Sequence, residues 1–136
     1  MTRPTLVIAD DDANMRALVR ETLRGELPDA IEAADGRELF WQLLRSSYGV
    51  AGHARDLVIV ADVRMPAYSG LDVLDAWHQE HARSPIVMIT AFPDDRVRAR
   101  AARLAAAVVA KPFSRAQLQV AVSDALRRAR TEEVAR

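Results

Sequence analysis

The sequence contains no cysteine, and its 19 Lys and Arg residues include a single lysine, Lys111. The absence of cysteine excludes disulfides, thiolate metal ligands and cysteine nucleophiles. No apolar stretch approaches the roughly 20 residues that span a bilayer, and a formal net charge of zero gives no general attraction to nucleic acid or anionic membranes. These absences predict a cytoplasmic protein with no membrane partner and no direct nucleic-acid binding.

The composition is that of one globular domain. Half of the 136 residues are hydrophobic and 28% are charged, which is typical of a soluble chain with one sizeable core. Single domains most often run to roughly 100–150 residues, so a second folded unit does not fit. We predict one domain over residues 1–130 and a polar tail over residues 131–136.

Short apolar runs alternate with segments of helical periodicity along the whole chain. The runs predict five strands, at residues 6–9, 30–33, 57–61, 86–89 and 106–110. Each is followed by an amphipathic segment, and an unusually long loop is expected at residues 47–55. Alternation of this kind predicts an α/β fold, with a parallel sheet covered by helices on both faces.

Polar side chains stand where four of these strands end. In open parallel sheets, ligands bind outside the carboxyl ends of the strands. That edge is predicted to gather three carboxylates, one hydroxyl and the sole lysine, namely Asp10, Asp11, Asp62, Thr90 and Lys111. Each residue alone reads as a helix cap, a loop residue or a solvated charge, and only their joint placement indicates a site.

The three carboxylates require a cation. At about 4 Å and an effective dielectric near 20, each close pair repels by about 4 kcal/mol before screening. Mg²⁺ prefers such oxygen ligands, with Asp11 and Asp62 expected to bind directly and Asp10 through water. Lys111 and Thr90 would then hold oxygens of a phosphoryl group, while one carboxylate acts as the nucleophile that forms an aspartyl phosphate.

Four segments carry a family resemblance. They read LVIADDD at residues 6–12, ADVRMP at 61–66 with Ser69 and Gly70 behind it, ITA at 89–91 and KPF at 111–113. Together they resemble the receiver domain of response regulators, from residue 6 to about residue 130. The resemblance implies a flavodoxin-like (βα)5 sheet, doubly wound, with strand order 2-1-3-4-5.

The resemblance also assigns roles to the strand-end residues. It implies that Asp62 accepts a phosphoryl group from a histidine kinase or a phosphotransfer protein, and that Thr90 and Lys111 contact that group. Asp10, Asp11 and the Arg64 backbone carbonyl are implied to help Asp62 hold Mg²⁺. A cis Lys111-Pro112 bond is also implied, with no enzymatic activity beyond self-catalysed phosphorylation and dephosphorylation.

Two positions depart from the family pattern. The aromatic residue usually found three positions before the lysine is replaced by Val108, so we expect phosphorylation to be retained and its output to be atypical. The glycine usual before the fifth strand is missing from the segment RLAAA at residues 103–107. We therefore expect the fourth helix to run longer or to pack differently.

The output leaves several readings open. The fourth helix carries Arg96, Arg100 and Arg103 on one face, where receivers commonly meet a downstream protein. A solvated helix face explains the same charges. A phosphorylation-dependent dimer is a further hypothesis. One rival is the regulatory part of a longer DNA-binding regulator. Others are a metal-dependent phosphohydrolase and a flavodoxin-like cofactor protein, whose flavin phosphate three acids would repel.

Overall fold

The computed structural model describes residues 4–47, 56–81 and 84–134, in which five strands and five helices alternate. The strands are β1 (Thr5–Ala9), β2 (Ala30–Ala33), β3 (Leu57–Asp62), β4 (Ile86–Thr90) and β5 (Ala107–Ala110). The helices are α1 (Ala13–Leu23), α2 (Gly36–Ser47), α3 (Gly70–His78), α4 (Asp95–Arg103) and α5 (Arg115–Val134). Residue 47 of the expected loop belongs to α2, and residues 48–55 lie outside the described residues.

All five strands are parallel and lie in the order β2-β1-β3-β4-β5. This confirms the predicted fold class and strand order. Every residue of β1, β3 and β4 is buried, as expected of central strands covered on both faces. In β2, by contrast, only Ala33 is fully buried, in keeping with its position at the edge of the sheet.

Helices cover the sheet on both faces, because successive side chains of a strand point to opposite sides. Val7, Ile59 and Met88 point to one face and pack with Leu39 of α2 and Leu74 of α3. The other face is packed against α1 and α5, with a core of Leu6, Ile8, Val58, Val60, Val87, Ile89, Val19, Leu23, Leu118 and Val122. Alternation within each strand therefore builds two separate cores.

Side-chain caps fix where several helices begin. Asp12 accepts a hydrogen bond from the Asn14 N–H at the start of α1, as predicted. Ser69 and Asp94 cap α3 and α4 in the same way. At the start of α5, the Ser114 hydroxyl accepts from the Gln117 N–H, and the Gln117 side chain accepts from the Ser114 N–H. This reciprocal pair confirms the predicted Ser114 cap and satisfies two otherwise unpaired donors.

α4 ends at Arg103, so it does not run on through the segment that lacks the glycine, which was one of the two expected alternatives. The Ala105 N–H donates to the Ala102 carbonyl, and the Ala106 N–H donates to the Ala101 carbonyl at 2.9 Å. These two bonds form a Schellman motif, which requires a left-handed residue that is usually glycine. Ala105 occupies this conformation, with a φ of 52°, and thereby replaces the missing glycine.

An ion-pair clamp holds α4 against α3. One guanidinium nitrogen of Arg100 lies 2.7 Å from an Asp72 oxygen and 2.6 Å from an Asp75 oxygen. The hydrogen bond from Arg100, together with that involving Ser69, lowers the pKa of the Asp72 carboxyl. Within α4 itself only Ala101 is buried, so the ion pairs add to a small apolar contact.

α5 is longer than the sequence predicts. It continues to Val134, so that residues 131–134 of the expected polar tail are helical. Among the helices of the described segments, none has both the length and the apolar character needed to cross a membrane.

We expect Ala105→Gly to raise the free energy of unfolding by roughly 0.5–1 kcal/mol, because glycine adopts the left-handed conformation without the steric penalty of a Cβ atom. Ala99→Gly, at an exposed position within α4, is the matched control and should lower it by about 1 kcal/mol. Urea unfolding measures both changes, and equal losses in the two variants would contradict the assigned helix end.

We expect Arg100→Met to lower the free energy of unfolding by about 1 kcal/mol, since it removes two partly exposed ion pairs. The loss should shrink in 1 M NaCl, where screening acts within a few Å. Arg103→Met, at an exposed position on the same helix, should have little effect in either buffer. A salt-independent loss would mean that packing of the Arg100 stem, rather than its charge, holds α4.

Candidate functional site

The carboxyl ends of four strands bring the predicted site residues to one edge of the sheet. Asp10 follows β1 directly, while Asp62 and Thr90 are the last residues of β3 and β4. Thr90 pairs in register with Ala110, which places Lys111 beside it, and the Lys111 N–H donates to the Thr90 carbonyl at 2.8 Å. The parallel register therefore sets the spacing of the site.

Three carboxylates meet at this edge. Asp10, Asp11 and Asp62 each offer an oxygen, and the three oxygens lie within 4.8 Å of one another. Asp10 is 2% exposed and Asp62 is 7% exposed, whereas Asp11 is open to solvent. Within the described residues this is the one group of three or more potential metal-ligating side chains that lie together. Two of its members are thus held rigidly, and the third can be reached from solvent.

Lys111 joins the two buried carboxylates. Its Nζ atom lies 2.9 Å from Asp62 Oδ2 and 3.3 Å from Asp10 Oδ2. Burial alone would lower the pKa of Lys111, but the hydrogen bond to Asp62 and the charges of both aspartates outweigh it and raise the pKa. Lys111 is therefore cationic at neutral pH, and the site holds one positive charge against the buried pair.

Burial makes the Asp10 carboxylate costly to ionise. Desolvation is the main reason that its pKa is raised; the hydrogen bond from the Asp12 N–H lowers it, the nearby Asp62 charge raises it again, and Lys111 lowers it. The Asp12 N–H lies 2.9 Å from Asp10 Oδ1. A further cation placed among these carboxylates would relieve both the burial penalty and the repulsion.

Close backbone packing fixes the direction of Asp62. The Arg64 N–H donates to Asp62 Oδ1 at 3.1 Å, while Lys111 holds Oδ2. Behind Asp62, Gly70 allows the start of α3 to approach the strand, because a Cβ atom there would lie 2.2 Å from the Asp62 carbonyl oxygen. The Gly70 N–H also donates to the Val63 carbonyl. The Asp62 carboxylate is thus oriented before any ligand binds.

Thr90 and the loop that follows it stand at the same edge of the sheet. The Thr90 hydroxyl oxygen accepts a hydrogen bond from the Phe92 N–H at 3.0 Å, which leaves the hydroxyl proton available to a ligand. The Phe92 ring is exposed, and the Arg64 guanidinium lies 5.0 Å from its centroid. This cation–π contact joins the loops that follow β3 and β4.

Sequence reasoning missed Arg16. Its Nη1 donates to the Asp10 carbonyl oxygen at 2.7 Å, and its Nε donates to Glu32 on β2 at 3.1 Å. The signal was present in the sequence, because Arg16 lies one helical turn after the Asp12 cap. Its partner Glu32 is far away along the chain, however, so the pairing depends on the register of β1 with β2.

Val108 and the predicted arginine face of α4 are the two features that bear on the output. Val108 is half-buried and packs against the core beneath α2, α3 and α4, and it also lines an open groove between β5 and α5. The predicted arginine face divides in two, because Arg100 turns toward α3, whereas Arg96 and Arg103 are exposed.

The Lys111-Pro112 bond is cis, as the resemblance implied.

The residues of this edge suit a divalent cation and a phosphoryl group. The carboxylates supply hard oxygen ligands, which Mg²⁺ prefers, and the exposed Asp11 leaves an approach from solvent. The Lys111 ammonium contacts two of these carboxylates, and the Thr90 hydroxyl ends the neighbouring strand. Both groups can donate to phosphate oxygens. A carboxylate near a cation site and such donors is chemically able to accept a phosphoryl group.

Comparisons with known proteins show which family the chain resembles. The family model described as "Response regulator receiver domain" matches residues 6–123. "Probable transcriptional regulatory protein TcrX" of Mycobacterium tuberculosis is 33% identical over 91% of the chain and 50% of its own length. Transcriptional regulatory protein CpxR of Escherichia coli is 32% identical over 94% of the chain and 51% of its own length. The chain thus spans about half the length of these curated relatives.

Solved structures show the same fold. A receiver domain protein described as CheY-like from Methanospirillum hungatei superposes with a TM-score of 0.80 and 18% identity, covering 96% of this chain and 99% of that one. Chemotaxis protein CheY4 of Vibrio cholerae gives a TM-score of 0.75 and 24% identity, with coverage of 91% and 99%.

We expect Asp10→Asn to be more stable than the wild type at pH 7 in buffer with EDTA, because the amide avoids the cost of a buried charge. A raised pKa means that the folded state binds the proton more tightly, so this cost appears as pH rises from the unfolded value of 3.8 through the folded value. The difference should shrink towards pH 4. Thermal unfolding at both pH values measures it, and a less stable variant at pH 7 would show that Lys111 outweighs burial.

Proposed function

Because the chain belongs to the response regulator receiver domain family of two-component systems, we propose that it is a switch controlled by phosphorylation of Asp62. The donor is a histidine kinase or a phosphotransfer protein, and the output is a change in protein–protein contacts. The observation that carries this proposal is the meeting of Asp10, Asp11 and Asp62 with Lys111 at one sheet edge.

Asp62 is the nucleophile in this proposal. Its carboxylate oxygen forms a bond to phosphorus while the bond from phosphorus to the donor breaks, a P–N bond in phosphohistidine or a P–O bond in acetyl phosphate. The leaving group departs with the electron pair. Asp62 suits this role better than Asp10, because Asp10 is more deeply buried.

Lys111 and Thr90 hold the transferred group. The Lys111 ammonium, now bonded to Asp62 Oδ2, would move its contact to a phosphoryl oxygen as negative charge builds up there. The Thr90 hydroxyl already accepts from the Phe92 N–H and would donate its proton to a second oxygen. A lysine suits this role because its ammonium is a compact point charge, unlike the broad guanidinium fork.

Mg²⁺ is the proposed cofactor, held by the carboxylates of Asp10, Asp11 and Asp62 and by the Arg64 carbonyl. When bound, it would supply the positive charge that offsets their repulsion and the charge of the phosphoryl oxygens. The Arg64 carbonyl is included on the family resemblance, and the Arg64 N–H, which bonds to Asp62 Oδ1, keeps this residue beside the site.

The output surface proposed is the outer side of α4. Arg96 and Arg103 are exposed there and would favour an acidic partner surface. Arg100 supports this surface indirectly, since it ties α4 to Asp72 and Asp75. With Val108 in place of an aromatic side chain, a change at Thr90 would reach α4 through the loop at residues 91–94.

A second candidate is that this switch controls transcription. It is favoured by the curated relatives TcrX and CpxR, which are named as transcriptional regulatory proteins and are about twice as long as the matched region. In this case the receiver would govern a DNA-binding module or partner. Replacing the chromosomal codon for Asp62 by one for asparagine should then change transcript levels, and an unchanged transcriptome would argue against this candidate.

We expect the wild type to gain the mass of one phosphoryl group when incubated with Mg²⁺ and acetyl phosphate, and Asp62→Asn to gain none, because the amide is not a nucleophile here. Asp29→Asn is the matched control, since Asp29 precedes β2 at the opposite end of the sheet. Intact-mass spectrometry measures all three proteins.

A wild type that gains no mass, or an Asp62→Asn variant that is phosphorylated equally at the same site, would contradict the proposal. Catalytic release of phosphate from p-nitrophenyl phosphate by the wild type would instead support the phosphohydrolase hypothesis, because an enzyme turns over many substrate molecules rather than accepting one phosphoryl group.

A further inference from the structure

The backbone of Asp10 is held on both sides of its Cα atom, and the bond to its carbonyl fixes the peptide that links it to Asp11. The Asp10 N–H donates to the Ala33 carbonyl of β2 at 3.1 Å, and the Asp10 carbonyl accepts from Arg16 Nη1 at 2.7 Å. That carbonyl belongs to the peptide group between the two aspartates. Its orientation therefore fixes the directions in which both side chains leave the backbone. This matters most for Asp11, whose carboxylate is exposed.

Arg16 is itself held in place. Its Nε donates to Glu32 Oε1 at 3.1 Å, and the Arg16 side chain is only 17% exposed. A guanidinium presents several N–H groups in one rigid plane, so one group donates to Glu32 while another donates to the Asp10 carbonyl. The second Glu32 oxygen accepts from Arg20, which also donates to the Ala30 carbonyl. Glu32 is thus anchored independently of Arg16.

Charge neutralisation on an edge strand does not explain this arrangement. Arg20 already pairs with Glu32, so neutralising Glu32 does not require Arg16. The contact that Arg16 adds is the one with the Asp10 carbonyl, which carries no formal charge. A charged donor on a backbone oxygen makes a strong, directional hydrogen bond. Its effect is to orient the peptide beside the site.

We propose that Arg16 is a positioning residue for the Asp10–Asp11 pair and that Glu32 holds the Arg16 guanidinium in the working orientation. The proposal rests on the proposed function, in which this pair helps to hold Mg²⁺. Residues that orient metal ligands in this way commonly affect metal affinity by about 10- to 100-fold.

Charge and positioning predict opposite effects for Arg16→Met. The substitution removes a positive charge that lies 2.7 Å from the Asp10 carbonyl oxygen, so charge alone would tighten Mg²⁺ binding. Loss of the hydrogen bond to the Asp10 carbonyl would weaken it, because the ligands would no longer be held in one orientation. The sign of the change therefore separates the two effects.

The experiment measures the Mg²⁺ dissociation constant of the full chain by isothermal titration calorimetry. We expect Arg16→Met to weaken binding about 10-fold or more. Arg16→Lys should also weaken it, since an ammonium keeps the charge but cannot reproduce the planar fork. Glu32→Gln should have a smaller effect in the same direction. Arg24→Met is the control, because Arg24 is exposed and pairs with the exposed Glu21 on α1.

Phosphorylation by acetyl phosphate supplies a second readout. The Mg²⁺ concentration that gives half the maximal rate should rise in Arg16→Met, while the rate at saturating Mg²⁺ stays near that of the wild type. A variant that is merely less stable would not show this split, because its folded fraction would bind Mg²⁺ normally. Urea unfolding of each variant measures that fraction, and Arg16→Lys and Glu32→Gln keep the test open if Arg16→Met does not fold.

Unchanged or tighter Mg²⁺ binding in Arg16→Met, or wild-type binding in Arg16→Lys, would overturn the positioning role. A wild type that neither binds Mg²⁺ nor gains a phosphoryl group would overturn the proposed function, and this inference with it. That failure is distinguishable, since it appears in the wild type before any variant is compared.

Discussion

The attraction between Lys111 and two buried carboxylates is the interaction on which the site depends. Asp10 and Asp62 lie almost entirely out of water, where unpaired negative charges are strongly destabilising. One ammonium contacts both of them. It offsets part of their repulsion and leaves net negative charge at the sheet edge. The carboxylates of the folded protein therefore keep an excess negative charge, which a bound cation would neutralise, and that cation would in turn attract a phosphoryl group.

The strand-end residues and the parallel sheet could be predicted from local patterns in the sequence, whereas the strand order was implied by the family resemblance. Apolar runs of five or so residues define the strands, and parallel strands bring residues such as Asp10, Asp62 and Thr90 to the same edge. The caps at Asp12 and Ser114 depend on neighbours within three residues, and these were predicted as well.

Contacts between distant segments could not be predicted in this way. The Arg16–Glu32 pair forms only once β2 lies beside β1, and the Arg100 clamp requires a particular crossing of α3 and α4. The end of α4 could not be predicted for another reason. The missing glycine left a longer helix and a different packing as alternatives, but Ala105 accepts the left-handed conformation, and two backbone hydrogen bonds support it.

Lys111 also makes the site selectively observable by spectroscopy. Since it is the only lysine in 136 residues, isotopically labelled lysine would mark a single side chain. The resulting spectrum would contain one lysine ammonium environment, located at the meeting point of Asp10 and Asp62. The chain thus carries one lysine that can report on this site. The other 18 of the 19 Lys and Arg residues are arginines, which add no signal to the spectrum of labelled lysine.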